Sequence, residues 1–373
     1  MVQLKEVETN SDLKKFVKFP LKMYKNNPYY IPSLISGEIN TLRKDKNAAF
    51  EYCEAKYWLA YKDGKIAGRI AGIINHEYIK KWKNKFARFG WIDFIDDPEV
   101  SAALLGAVEE WAKENGMEGI LGPLGFTDFD EEGMLIEGFE ELGTLALIYN
   151  FPYYPKHLET LGYEKDADWL EFEIQQPEEI HEKILRLNEI VLKRNKLHLV
   201  PAKKAKDLRP YARGVFELIN DTYADLYGFV ELNDKQIDAY IEEYFPFIDP
   251  QYTKIIIDEN DKVAAFGITM PSLSRALQKA KGRLFPFGWI HMLYALKNPK
   301  SLDMYLVGVR KEFQNKGIPA VLLAEVTQAC IRNDIKTAET AAELEENLEV
   351  QSMWKHFPKR QHKRRRCYIK KLS

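Results

Sequence analysis

The residues best placed to handle a charged ligand lie in one short stretch, VRKEFQNKGIPA, from Val309 to Ala320. Arg310, Lys311 and Lys316 are cations, Gln314 and Asn315 carry amides, and Gly317 permits a sharp turn. Before them, Tyr305, Leu306, Val307 and Val309 form an apolar, β-branched run suited to a buried strand. After them, Pro319 fits the start of a helix, and Ala320, Val321, Leu322, Ala324, Glu325 and Ala329 extend it to about Asn333. A loop that ends on a helix start aims free N–H groups, including that of Ile318, and the positive end of the helix dipole at one point. Such a point binds phosphate. No Cys/His spacing suits a metal, and none is expected. The order of residues supports no Ser–His–Asp arrangement.

Composition sets the frame for that loop. The 373 residues suffice for two domains. Hydrophobic residues at 46% and charged residues at 29% describe a soluble globular protein. A formal charge of −2 gives no reason to expect nucleic-acid binding. Cys53, Cys330 and Cys367 are too scattered for a disulfide framework. The charged opening MVQLKEVETNSDLKKF lacks the apolar core of a signal peptide, and no run approaches a membrane span. A cytoplasmic protein without a membrane partner is therefore expected.

The elements around the loop occur twice. Val2–Val7 reads as a strand and the stretch from Ser11 to Tyr24 as a helix. Lys62-Asp63-Gly64 joins a hairpin of Tyr57–Tyr61 and Lys65–Ile74. Arg88–Ile95 is a strand, Pro98–Asn115 a helix closed by Gly116, and Met117–Gly122 a strand. Trp169–Ile174 supplies a further strand, and Pro177–Lys196 a charged helix that packs between two domains. The order then restarts, with a strand at Leu197–Pro201, a helix at Asp207–Leu226 and a hairpin around Glu259-Asn260-Asp261. The strand Leu302–Val309, the loop and its helix follow. Lys336–Ala342 is again a strand, Glu345–Phe357 the last helix and Arg364–Lys371 the closing strand. One order used twice is an internal duplication of fold.

The strand ending in Val309, with Gln314, Gly317, Ala320 and the Leu322-Leu323 pair, resembles the pyrophosphate loop of the GNAT superfamily of acyl-coenzyme A N-acyltransferases. Pro319 replaces that family's small residue and removes one N–H. In the first half, Asn150, Tyr153 or Tyr154, Leu158, Gly162 and Tyr163 are similar to the family's later helix, with its Asn, Tyr and Gly-Phe/Tyr end. The resemblance implies an α/β fold of two consecutive GNAT-like domains, each a mixed central sheet flanked by helices. Residues 1–176 form the first, 177–197 a linking helix and 198–373 the second. The first-half counterpart of the loop holds Asp96, Asp97 and Glu99, acids that suit a helix start and repel phosphate. The acyl-coenzyme A site is therefore expected once per chain, in the second half.

By the same resemblance, the backbone of Leu306, Val307 and Val309 holds the pantetheine arm and polarises the thioester. Gln314, Asn315, Lys316, Gly317, Ile318 and Ala320 hold the pyrophosphate, and Asn347 touches the pantetheine. Glu339, on the strand lining the split, is the expected base for an incoming amine, with Glu343 beyond its end. The last helix has Trp354 and His356 where the family often has an acidic Tyr. His291, Tyr223, Tyr227 and Glu231 are further residues able to face an acceptor, and the acid-free closing segment, KHFPKRQHKRRRCYIKK, is able to meet an anion. The implied activity is transfer of an acetyl or other acyl group from coenzyme A to a small amine. Aminoacyl transfer from tRNA also uses paired GNAT-like domains, but the near-neutral charge and the lack of a coiled-coil arm oppose it. A non-catalytic scaffold is the alternative from another class.

Overall fold

The computed structural model describes residues 1–372 and divides into two compact units. The first comprises Met1–Leu170, Leu273–Met292 and the chain from His362 onward; the second comprises Glu171–Ser272 and Leu293–Gln361.

In the first unit Val2–Glu6, Cys53–Lys62, Lys65–Asn75 and Phe86–Phe94 pair antiparallel in chain order. Gly119–Gly122 joins Phe86–Phe94 in parallel. Helices cover both faces of this sheet. Leu104, Leu105, Val108 and Trp111 of the helix Pro98–Glu114 pack on Trp58, Ile70, Ile74 and Phe89. Leu13, Phe16 and Val17 of the helix Asn10–Met23 pack on Leu59, Ala71 and Ile73 from the other side. Period-two strands and period-3.6 helices meet here as their patterns require. Gly72 is needed for the close approach, since a Cβ there would lie 2.9 Å from the Trp111 ring.

The second unit repeats the plan. His198–Leu199, Lys254–Ile257, Val263–Pro271 and Ser301–Val309 are antiparallel in turn, and Thr337–Thr340 joins the last in parallel. Val321, Leu322, Val326 and Ala329 of the helix Ile318–Arg332 pack on Ala264, Ala265, Leu302 and Ala338. Both units carry a register shift at the matching strand pair, between Arg69 and Ala71 in one and between Ile268 and Thr269 in the other.

Four sequence expectations need correction. Trp169–Ile174 and Arg364–Lys371 read as the closing strands of the first and second halves. Instead, Glu173, Ile174 and Gln175 pair with Thr337–Thr340 in the second unit, and Tyr368–Lys371 pair with Gly119–Gly122 in the first. Alternation specifies a strand's buried face but not its neighbour, so the pattern is blind to this exchange. The helix expected over Asp207–Leu226 breaks into Ala205–Leu208, a 3-10 turn at Arg209–Tyr211 and Ala212–Tyr223. Pro210 supplies no N–H for a continuous ladder. The last helix is only Leu348–Ser352, and the turns after it bury Trp354. The charged helix runs over Glu182–Arg194; its Val191 and Leu192 pack on the second unit's core.

Candidate functional site

In the second unit the parallel strands Ser301–Val309 and Thr337–Thr340 stay paired only as far as Met304↔Thr340, with the Ala341 N–H donating to the Met304 carbonyl at 2.8 Å. Beyond that point a gap opens, while Ser301–Val309 remains paired with Val263–Pro271 on its other edge. Alternate residues of a strand turn their N–H and C=O to opposite edges. Val307 and Val309 present theirs to the gap. The Tyr223 hydroxyl donates to the Val307 carbonyl at 3.0 Å and accepts from its N–H at 3.3 Å, and the Gln314 side-chain amide donates to the Val309 carbonyl at 3.2 Å. The same alternation turns Leu306 toward its antiparallel partner Ile268, so the backbone contact expected of Leu306 is withdrawn.

The gap leads to the loop. Asn315 and Gly317 have positive φ, 58° and 80°, and Gly317 is the N-cap of the helix Ile318–Arg332, which has no side-chain cap. Pro319 is the second residue of that helix rather than the first. Asn315, Lys316, Gly317 and Ala320 are exposed, whereas the Ile318 side chain is fully buried and fixes the helix start. The Lys316 ammonium lies 5.4 Å from the Phe313 ring centre. Arg310 is committed elsewhere, with its guanidinium bound to Asp258 at 2.9 Å and Glu312 at 3.1 Å.

Three carboxylates cross the sheet at the closed end of the gap. Glu173 pairs with Glu339, and Glu339 with Asp303. One register row means one face. It is the face opposite the helix Ile318–Arg332, because Leu302 and Ala338 of the adjacent row pack on that helix. Arg360 reaches Glu173 at 3.2 Å, and the Tyr305 hydroxyl donates to buried Asp303 at 3.3 Å. Burial and Asp303 raise the Tyr305 pKa. Cross-strand like charges repel, so this row suits a cationic group laid against it.

Glu343 was a lesser candidate in the sequence and is better placed than its surroundings there suggest. It is buried in the short strand Glu343–Leu344, its carboxylate accepts the Trp354 indole N–H at 2.7 Å, and burial pushes its pKa up to about 7. Asn347 acts as a helix cap, its side chain accepting the Val350 N–H at 3.3 Å. His356 and Glu231 are exposed, Tyr227 is half-buried, and His291 belongs to a helix segment of the first unit.

The corresponding place in the first unit is filled by its own side chains. Past the pair Arg88↔Leu121, the Phe94 N–H donates to the Tyr154 hydroxyl at 3.1 Å, and the Tyr153 hydroxyl donates to the Phe94 carbonyl at 2.6 Å. The helix start is capped by Asp97, which accepts the Glu99 N–H at 3.0 Å and pairs with Lys62. Contrary to the reading from residue order, a Ser–His–Asp chain exists here. His157 bridges Ser101 at 2.8 Å and Asp96 at 2.9 Å. Ser101 is buried and also bonds the Pro98 carbonyl, so the chain ties down a helix start. The closing basic strand is spent within the same unit. Arg364 and Arg366 bind Asp168 at 2.7 and 2.8 Å, and Lys370 binds Glu109 at 2.8 Å.

The Asp93 carboxylate in this unit binds Arg69 at 2.7 Å and the Tyr24 hydroxyl at 2.9 Å, beside a cavity of about 50 Å³ that Glu38 and Glu131 also line. Among the described residues, no group of His, Cys, Asp and Glu is arranged to hold a metal ion.

No protein-family model matches the sequence. Protein YghO of Escherichia coli (strain K12) is 30% identical over 369 residues, covering 97% of this chain and 93% of that protein. Bacterial ceramide synthase of Caulobacter vibrioides is 27% identical over 317 residues, covering 83% of this chain and 80% of that protein. A tandem GNAT protein from the clavulanic acid biosynthesis pathway superposes with a TM-score of 0.55 at 11% identity, over 100% of this chain and 99% of that one. A GCN5-related N-acetyltransferase from Sphaerobacter thermophilus gives 0.52 at 10% identity, over 100% and 96%. The fold is that of tandem GNAT-like proteins, an α/β architecture with a mixed sheet.

Proposed function

We propose, since the chain belongs to the family of protein YghO of Escherichia coli and carries the tandem GNAT fold, that it is an acyl-coenzyme A-dependent N-acyltransferase with its donor site in the second unit. One observation carries this reading. The strand Ser301–Val309 leaves its parallel partner after Met304, turns Val307 and Val309 to the gap, and runs into an uncapped helix start. These donors fit an extended ligand that ends in a pyrophosphate.

The backbone N–H groups of Gly317, Ile318 and Ala320 would hold the phosphates, with Lys316 as the nearby cation. The Val307 N–H, once Tyr223 swings away, would donate to the acyl oxygen, where negative charge grows during attack. The thioester supplies the activated acyl carbon. Glu339, flanked by Asp303 and Glu173, would attract the acceptor as an ammonium and take its proton. The Caulobacter relative is named for making ceramide, an N-acylated long-chain amino alcohol. That name favours a long-chain amine as acceptor and an acyl donor longer than acetyl.

The test is thiol release from a series of acyl-coenzyme A donors, short to long, with a long-chain amino alcohol and with short amines as acceptors. Turnover should rise with both chain lengths. Glu339→Gln should lower kcat by about 10²–10⁴-fold with little change in donor affinity. Equal turnover by this variant removes Glu339 as base. A protein that binds no donor by calorimetry is the scaffold alternative.

A further inference from the structure

Between Pro271 and Lys300 the chain carries six cations, Arg275, Lys279, Lys281, Arg283, Lys297 and Lys300, and no acid, although the whole chain is formally −2. This stretch also exposes several large apolar side chains. Phe285 is 79% exposed, Phe287 67% and Tyr294 68%, and Trp289, Ile290 and Leu293 are exposed as well. Single exposed apolar residues need no explanation, but six within ten positions of the chain do.

The exposure is built into a fixed turn. Leu273, Ala276 and Leu277 are buried under it, and the Gln278 side chain donates to the carbonyls of Pro28 at 2.8 Å and Tyr30 at 3.0 Å. The Ile35 N–H donates to the Gly282 carbonyl at 3.0 Å. Above this anchor, the Trp289 N–H donates to the Leu284 carbonyl and its indole to the Pro286 carbonyl, both at 2.9 Å. Gly288 is obligatory, since a Cβ there would run into the Arg283 carbonyl. The turn therefore holds Phe285 and Phe287 outward, and the helix Gly288–Lys297 that follows exposes Trp289, Ile290, Leu293 and Tyr294 along one face.

We propose that this knuckle and helix form a docking surface for an anionic phospholipid bilayer. Aromatic tips favour the headgroup boundary, and clustered Lys and Arg are drawn to acidic lipid. A ten-residue helix lies on a membrane rather than across it, and no helix among the described residues is long and apolar enough to span one. A second copy of the chain is a poor occupant, because this acid-free stretch would meet its own charge. The surface would replace the expectation of no membrane partner, which rested on the lack of a signal-peptide core and of a membrane span. It is independent of the activity proposed above, because docking needs no turnover.

The experiment is flotation of the full chain with large unilamellar vesicles of phosphatidylcholine, with and without roughly 30% phosphatidylglycerol. Flotation should occur with the anionic vesicles, be about tenfold weaker with the neutral ones, and weaken in about 0.5 M salt. Phe285→Ser/Phe287→Ser should cut partitioning by about tenfold at an unchanged melting temperature and unchanged donor binding. No flotation of the native chain, or equal flotation of the double variant, overturns the proposal. So does a concentration-dependent dimer that the double variant abolishes, which would assign the face to a second copy.

Discussion

Tyr223 is the residue that decides how the gap can be used. Its hydroxyl engages both backbone groups of Val307, the groups that the GNAT resemblance assigns to the donor's pantetheine arm. A net hydrogen bond is worth about 0.5–1.5 kcal/mol, so Tyr223→Phe should tighten acyl-coenzyme A binding about three- to tenfold. Titration calorimetry reads this directly, and an unchanged dissociation constant would mean that the ligand does not use Val307. The sequence named Tyr223 only as a residue near an acceptor. Its partner is 84 positions away, and no local pattern reports such a pairing. The turn at Gly317 was legible because turn chemistry is local, a left-handed residue just before a helix. Leu306 was grouped with Val307 and Val309 because an apolar run does not say which edge of its backbone is free.

The two helix starts show why equivalent elements need not share a role. At Pro98–Glu114 the N-terminal charge is met by Asp97; at Ile318–Arg332 no side chain caps it. That contrast was readable from Asp96, Asp97 and Glu99 against Lys316 and Gly317, because capping preferences follow residue type. The exchanged closing strands were not readable, since antiparallel pairing with Gly119–Gly122 or with Thr337–Thr340 asks the same alternation of either strand. At the uncapped start, Pro319 is the residue to vary. Proline has no N–H to offer a phosphate, a bond worth about 1.5–3 kcal/mol to a charged group, while its rigidity stabilises by about 0.4–1 kcal/mol. Pro319→Gly should tighten donor binding about tenfold or more and lower the melting temperature slightly. Affinity that stays flat or falls would show that this position does not point at the phosphates.

At the scale of the whole molecule, burial pushes the pKa values of several acids upward. Asp130 and Glu131 in the first unit and Glu343 in the second are each pushed up to about 7, and Glu132 is pushed higher. In the unfolded chain such groups titrate near 4. Between those values the folded protein binds more protons than the unfolded one, so stability falls as pH rises from about 4.5 to 7. Acids shifted the other way act at lower pH. Hydrogen bonds from Lys5 and Thr9 hold Asp12 at about 2, and the Arg366 and Arg364 guanidinium groups hold Asp168 below the usual range. Their contribution is complete above about pH 4 and is lost below it. The melting temperature should therefore peak near pH 4.5–5 and decline toward pH 8, the reverse of a protein whose carboxylates are all stabilised as anions. Glu343→Gln isolates one part of this. Its amide oxygen can still accept the Trp354 N–H, but the buried charge is gone. The variant should melt roughly a few degrees higher than the native chain at pH 8 and at the same temperature at pH 4.5. A gain of equal size at both values would mean that packing, rather than ionisation of Glu343, sets the difference.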